Sequence, residues 1–219
     1  MKKYSEILSK CSFFQGIKPE NFETLIHCLN GNTMTVKKGS PLFLEGDPAH
    51  FTGVILSGAV QVIREDYYGN RSVLTILQPG DLFAEAFSCA GLTVMPVSAF
   101  SYIDSEVLFF DCTRILTPCE KACPFHTVLL NNLLKDMAQK NLALSQKIRY
   151  MSQKTTKEKL MTYLLDQAKQ QGNREFVIPH DRQSLADYLG VERSAMSAEI
   201  SKLKKSGQID TRGSWFCLK

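Results

Sequence analysis

Apolar and polar positions follow three different rhythms along the chain. Tyr4 to Leu29 reads as a helical lead-in. Glycines then fall at Gly46, Gly58, Gly69, Gly80 and Gly91, a spacing of 11 to 12 residues that matches short strands joined by turns. Between them lie "GVILSGAVQVI", "RSVLTILQPG" and "SEVLFFD", rich in branched and aromatic residues and partly alternating. "DYYGN" supplies a hairpin turn with Gly69 and Asn70. Strands so spaced predict an antiparallel sandwich or barrel over roughly residues 32 to 113.

Beyond Phe125 the period lengthens. Leu130, Leu134, Met137, Asn141, Leu144, Ile148 and Met151 are separated by steps of 4, 3, 4, 3, 4 and 3. This is the a/d alternation of a heptad, with Asn141 at an a position, where a buried amide selects a parallel two-stranded pairing. The spacing predicts a homodimer seam; the plainer alternative is a single helix packed on its own domain. Next, "SQKTTKEKLMTYLLDQAKQQG" restarts a helix with a capping box from Thr155 to Glu158 and ends it at Gly172. The short "MSQKTT" is the expected hinge, and "REFVIPH" a short strand stopped by Pro179.

The last stretch, "DRQSLADYLGVERSAMSAEISKLKKSGQIDTRGSWFCLK", has the grammar of a helix-turn-helix. Leu185 and Leu189 mark a first helix, Gly190 an unstrained turn and Val191 its apolar plug; Met196, Ile200 and Leu203 give the buried face of a second helix. The opposite face carries Ser194, Ser197, Ala198, Ser201 and Lys205, with Arg193 at its start. Small side chains let a helix sit deep in the major groove of double-stranded DNA, where Arg193 can reach a guanine edge. "QIDTRGSWF" reads as a hairpin wing with Arg212 at its tip, suited to a phosphate contact. A winged helix used for protein contacts is the alternative, and the absence of large apolar residues on the outer face weighs against it.

Charge sharpens this picture. From Lys147 to Lys219 there are 14 Lys and Arg against 8 Asp and Glu, a net +6, whereas the first 146 residues hold 12 against 14, a net −2. A basic C-terminal third on a mildly acidic body suits a polyanionic partner. No apolar run approaches the roughly 20 residues of a membrane span, and the two N-terminal lysines have no apolar stretch behind them. The chain is therefore expected in the cytoplasm, with no membrane partner. The 7 cysteines are odd in number and scattered, the pattern of free thiols. No nucleophile–base pair or paired carboxylates point to an enzyme.

Across essentially its whole length the chain resembles the Crp/Fnr family of bacterial transcription regulators. The marks are "FLEGDPAHFTGVILSGAVQVI…GDLFAE", the long helix, and "RQSLADYLGVERSAMS" followed by a wing. The resemblance implies an α+β fold: an N-terminal antiparallel β-roll of jelly-roll type with N-terminal helices (1–118), a dimerisation helix (119–151) and a winged helix-turn-helix (152–219). It implies a homodimer on a palindromic operator, RNA polymerase as a further partner, and DNA contacts from Arg182, Gln183, Arg193, Ser194, Ser197, Ala198, Ser201 and Arg212. Ser194 and Ala198 stand where the family commonly has an acidic residue and a second Arg, so the half-site is not that of the cyclic-AMP receptor.

The same resemblance places an effector pocket at Gly80, Glu85, Val97 and Ser98. Glu85 matches the carboxylate that holds a ribose hydroxyl, and Val97 stands where cyclic-nucleotide binders have the phosphate-pairing Arg. From Arg71 to Arg114 no other Lys or Arg occurs. A buried cyclic phosphate without a cation costs several kcal/mol at least, so a cyclic nucleotide is disfavoured, and a neutral effector, an apolar one or none fits better. The rival sensor is "DCTRILTPCEKACPFH", with Cys119, Cys123 and His126 as haem, metal or redox groups. Structural thiols are the simpler reading of that run.

Overall fold

The computed structural model describes residues 2–116 and 125–219, which form two compact units, Met1–Ala138 and Gln139–Lys219. In the first, two short helices, α1 (Ser5–Lys10) and α2 (Phe22–Cys28), precede the sheet strands β1 (Asn32–Val36), β2 (Pro41–Phe43), β3 (Phe51–Glu65), β4 (Arg71–Leu77), β5 (Leu82–Phe83) and β6 (Ser98–Asp111). The five-residue α3 (Glu85–Cys89) lies between β5 and β6, and α4 (Thr113–Leu116) follows β6. Every pairing is antiparallel, in the order β1-β6-β3-β4, with β2 added on β6 and β5 on β3.

The glycine rhythm announced short strands; β3 is 15 residues long and carries one of those glycines within it. Gly58 has φ +85° and stands where the β3–β6 register shifts. Ser105 Oγ accepts the Ala59 N–H there at 3.1 Å, closing the bulge. A bulge keeps a long strand continuous while bending it, so the residues before and after Gly58 serve different parts of the sheet.

Two apolar clusters fill this unit. One lies beneath the N-terminal helices, where Leu8, Phe13, Phe14, Phe22 and Leu25 meet Val54, Leu108 and Phe110. The other fills the roll with Phe43, Ile55, Val60, Phe83, Met95, Val97 and Val107. Full burial of side chains this size stabilises by about 1.5–3 kcal/mol each.

The long helix, α5 (Phe125–Met151), joins the units. Its inward face is Leu129 and Leu133, both buried, with Asn132 donating from Nδ2 to Phe13 O at 2.9 Å and Gln15 O at 2.8 Å. Those positions are not the heptad stripe. Of the stripe, Met137 packs against the same core and Leu130 is half-buried, while Leu134, Leu144 and Ile148 are 58%, 61% and 66% exposed. Asn141 is exposed as well. The helix thus has two apolar faces, and the heptad pattern registers mainly the outward one. The units divide inside α5, not at "MSQKTT", because one end of the helix packs on the first core while Tyr150 belongs to the second.

In the second unit α6 (Thr156–Gln171) starts at the expected capping box, with Thr155 Oγ1 accepting the Glu158 N–H at 3.1 Å and Glu158 Oε2 accepting the Thr155 N–H at 3.0 Å. It ends at Gly172, φ +63°. Strands β7 (Glu175–Val177), β8 (Ile209–Arg212) and β9 (Trp215–Leu218) make a small sheet in the order β7-β9-β8. Helices α7 (Arg182–Leu189) and α8 (Arg193–Lys205) pack on it around Leu160, Leu164, Leu185, Leu189, Met196, Ile200, Leu203 and Phe216.

Candidate nucleic-acid interface and effector site

The turn between α7 and α8 is built as the sequence implies. Asp181 caps α7, accepting the Ser184 N–H at 2.8 Å, and hydrogen bonding by Ser184 holds its carboxyl below the usual range. Gly190 closes the helix at φ +61° in the left-handed conformation, which a side chain disfavours. Val191 is half-buried against the core as the plug. Burial of Met196, Ile200 and Leu203 then leaves one orientation for α8.

That orientation turns Arg193, Ser194, Ala198, Ser201 and Lys205 outward, with Ser197 half-buried. Arg193 is the only cation in the first turn, where its length lets it reach past the small residues beside it. Two of the hydroxyls have local partners: Ser194 donates to Glu192, and Ser201 donates to Ser197 O at 2.9 Å. Gln183 is exposed on α7 and donates to Asp187 Oδ1 at 2.9 Å. Arg212 is exposed beside the Gly213–Ser214 turn of the wing.

Arg182 departs from expectation. The family resemblance counts it among the DNA contacts, yet its guanidinium turns into the domain, 4.9 Å from the Phe216 ring centroid, and Nη2 donates to Thr211 Oγ1 at 2.9 Å. Burial lowers its pKa, and Nη1 is buried with no hydrogen-bond partner among the described residues. The arginine clamps α7 to the wing. On the other side Lys204 bonds Asp210 Oδ1 at 2.7 Å and Thr211 O at 3.2 Å, tying α8 to the same strand. Thr211 is therefore a shared anchor that sequence reasoning missed, since its importance comes from residues distant along the chain.

In the first unit the turn before β5 is preset by Gly80, at φ +95°, whose N–H donates to Ile55 O at 2.8 Å. Asp81 Oδ2 accepts the Gln78 N–H at 2.7 Å, so this carboxylate serves the turn itself. Ala84 takes φ +63°, one of two non-glycine residues in the left-handed region among the described residues. Such backbone strain is held by its surroundings and clusters at functional sites. It delivers Glu85, buried at 4% exposure, to the start of α3. Val97 is 6% exposed within the apolar cluster of the roll, and Ser98 Oγ accepts the Glu45 N–H at 2.9 Å. Arg71 pairs with Glu65 at 3.0 Å, and Arg114 lies 4.0 Å from Asp111 and donates to Cys28 O. Both cations flanking the stretch without Lys or Arg thus have local partners.

Of the rival sensor, Cys119 and Cys123 lie outside the described residues. His126 is buried, with Nε2 3.6 Å from Cys28 Sγ. Among the described residues no group of three or more His, Cys, Asp or Glu is placed to hold a metal ion. Also among them, no helix is long and apolar enough to cross a membrane.

The cyclic nucleotide-binding domain family matches residues 33–121, and the Crp-like helix-turn-helix domain family matches residues 158–219. The chain belongs to the Crp/Fnr family. Among Crp/Fnr relatives, the nitrogen fixation regulation protein FixK of Rhizobium meliloti is 23% identical over 185 residues, covering 81% of this chain and 78% of that protein. The CRP-like cAMP-activated global transcriptional regulator of Mycobacterium tuberculosis is 34% identical over 80 residues, covering 36% of this chain and 35% of that regulator. The match to this first relative thus spans about a third of its length. Among solved structures, the c-di-GMP responsive global regulator CLP of Xanthomonas campestris superposes with TM-score 0.55 at 18% identity, over 89% of this chain and 97% of that one. DNR from Pseudomonas aeruginosa superposes with TM-score 0.51 at 21% identity, over 100% and 95%. Both structural likenesses concern the fold, a mixed α+β architecture with an antiparallel N-terminal sheet and a C-terminal helix-turn-helix. None of these matches indicates a catalytic family.

Proposed function

We propose that the protein is a homodimeric transcription regulator in the cytoplasm that reads a palindromic operator through α8. The observation that carries this is the outward face of α8: Arg193 at its start, small residues behind it, and no large apolar side chain. A helix so shaped enters the major groove, while Arg212 in the wing reaches the backbone. The exposed Leu134, Leu144 and Ile148 of α5 supply the dimer seam, with Asn141 setting its register. A dimer of this kind spans two half-sites about 34–36 Å apart. RNA polymerase is the further partner.

DNA selected from a random pool by the full chain tests the reading. Arg193→Ala should weaken binding to the selected operator about 5- to 150-fold and relax specificity at one base. Arg212→Ala should weaken operator and random DNA alike. An Arg193→Ala variant that loses affinity equally on both sequences would remove the base-reading role of that residue.

The effector is a neutral or apolar molecule, or the roll has none; it is not a cyclic nucleotide. Support comes from Val97, buried among apolar neighbours where a phosphate would need a cation, and from Arg71 and Arg114, each engaged elsewhere. The CRP-like relative is named as cAMP-activated, so cyclic AMP is the first ligand to try. Titration calorimetry with cyclic AMP and cyclic GMP is expected to show no binding at micromolar concentrations. A micromolar dissociation constant for either would overturn the assignment.

A further inference from the structure

The described residues of the first unit contain two free cysteines whose sulfurs meet. Cys89 ends α3 and Cys112 joins β6 to α4, and their Sγ atoms are 3.0 Å apart. This is about 1 Å beyond the bonded length of ~2.05 Å, and the two cysteines are 23 positions apart in the chain. Cys112 is buried at 1% exposure, and Cys89 is the half-buried member through which the pair meets solvent. We propose that Cys89 and Cys112 are a modification site, a dithiol that a hydroperoxide converts to an intramolecular disulfide.

The surroundings divide the work between the two sulfurs. The hydrogen bond shared with Cys89 outweighs burial and, helped by the hydroxyls of Thr52 and Ser88, pulls Cys112 below the ordinary thiol range. The same bond, together with burial and the nearby Glu85, pushes Cys89 up. Thr52 is itself fully buried, and its Oγ1 lies 3.0 Å from Ser88 Oγ, so these hydroxyls are fixed beside the pair. Cys112 is therefore the more acidic of the two thiols.

The chemistry balances with a hydroperoxide as oxidant. The Cys112 thiolate attacks one peroxide oxygen, the O–O bond breaks, and the other oxygen leaves with a proton as water or an alcohol. Cys112 is then a sulfenic acid. Cys89 attacks that sulfur, the S–S bond forms, and the sulfenic oxygen leaves as water with the Cys89 proton. Two thiols are oxidised and one peroxide is reduced. The product ties the end of α3, which begins at Glu85, to the residue from which the chain leaves the roll. Cys11 offers a contrast within the same unit: burial pushes it up to about 11, and it has no sulfur neighbour among the described residues. This thiol chemistry does not depend on the DNA-binding reading.

The full-length protein is reduced, freed of reductant, treated with a small molar excess of hydrogen peroxide at neutral pH, and alkylated in denaturant for peptide mass mapping. Two of the 7 thiols should be lost together, as one linked pair of peptides carrying Cys89 and Cys112, and dithiothreitol should restore both. Cys11 should remain alkylatable throughout. In Cys89→Ser, which keeps a hydrogen-bonding group beside Cys112, the link should vanish and Cys112 should accumulate as a sulfenic acid trapped by dimedone. Should that variant fail to fold, the wild-type map still decides. A map in which Cys112 is joined to another cysteine, or in which Cys89 and Cys112 stay alkylatable while other thiols oxidise, overturns the site.

Discussion

Phe216→Ala should unfold the Gln139–Lys219 unit at temperatures where the unchanged chain is folded, and abolish operator binding with it. Phe216 is fully buried in β9, stacked on Phe176 with ring centroids 6.3 Å apart, and lies beneath the Arg182 guanidinium at 4.9 Å. Truncating a buried Phe costs about 3–5 kcal/mol from lost transfer energy and the cavity left behind. For a unit this small that is a large share of total stability and lowers Tm on the order of 15–30 °C. The local consequence is as important: Arg182 loses the ring it rests on and keeps only its bond to Thr211 as a tie between α7 and the wing. Circular dichroism melts and anisotropy on selected operator DNA read the two effects. Phe216→Leu, which keeps most of the volume, should recover much of both. A Phe216→Ala melt within about 5 °C of wild type would mean that the cluster is not the core that the burial implies.

Gly58→Ala is the corresponding change in the β-roll. A Cβ there would lie 2.3 Å from Ser105 Oγ and 2.5 Å from Asp104 O, and the residue already sits at φ +85°. The left-handed backbone alone costs a side chain about 1–3 kcal/mol, and the overlap with backbone oxygen adds an overpacking cost of about 1–3 kcal/mol. Gly69 provides the control, because its φ is +81° but a Cβ would meet nothing within 4 Å. Gly69→Ala should therefore show the conformational cost alone, and the gap between the two variants in denaturant unfolding measures the contact term. Equal destabilisation would show that β3 relaxes around the added methyl and that the bulge is not rigid.

These two residues also mark where sequence reasoning stops. By spacing alone, the glycine at 58 punctuates the chain like a turn between short strands. Within the 15-residue β3 it is the bulge that lets one strand continue. Local pattern cannot distinguish the two, since both need a positive φ, and only the pairing with β6 decides. The helix-turn-helix was more legible, because its determinants are local: an Asp cap, a Gly end and apolar residues at i, i+4 and i+7 lie within 25 residues. The packing of Arg182 is not legible locally, because the aromatic ring and hydroxyl that hold it are some 30 residues away, on strands whose proximity is a tertiary fact.

The long helix shows both sides in one element. Its heptad stripe was readable from spacing, and the exposed Leu134, Leu144 and Ile148 lie on it. Leu129, Leu133 and Asn132, which fix the helix to its own unit, lie off that stripe and drew no notice. A periodicity test reports the more regular of two apolar faces, and a face that packs against irregular loops has no reason to be regular.

By itself, then, the sequence determined the order of elements, the capped ends of α6, the orientation of α8 and the apolar substitution at Val97. All of these follow from interactions between residues close along the chain or from the chemistry of one side chain. Only the tertiary structure decided that Arg182 clamps the wing, that Gly58 bends one strand, and that Cys89 and Cys112 touch. Those facts join residues whose separation in sequence carries no information about their distance in space; long-range packing alone brings them together.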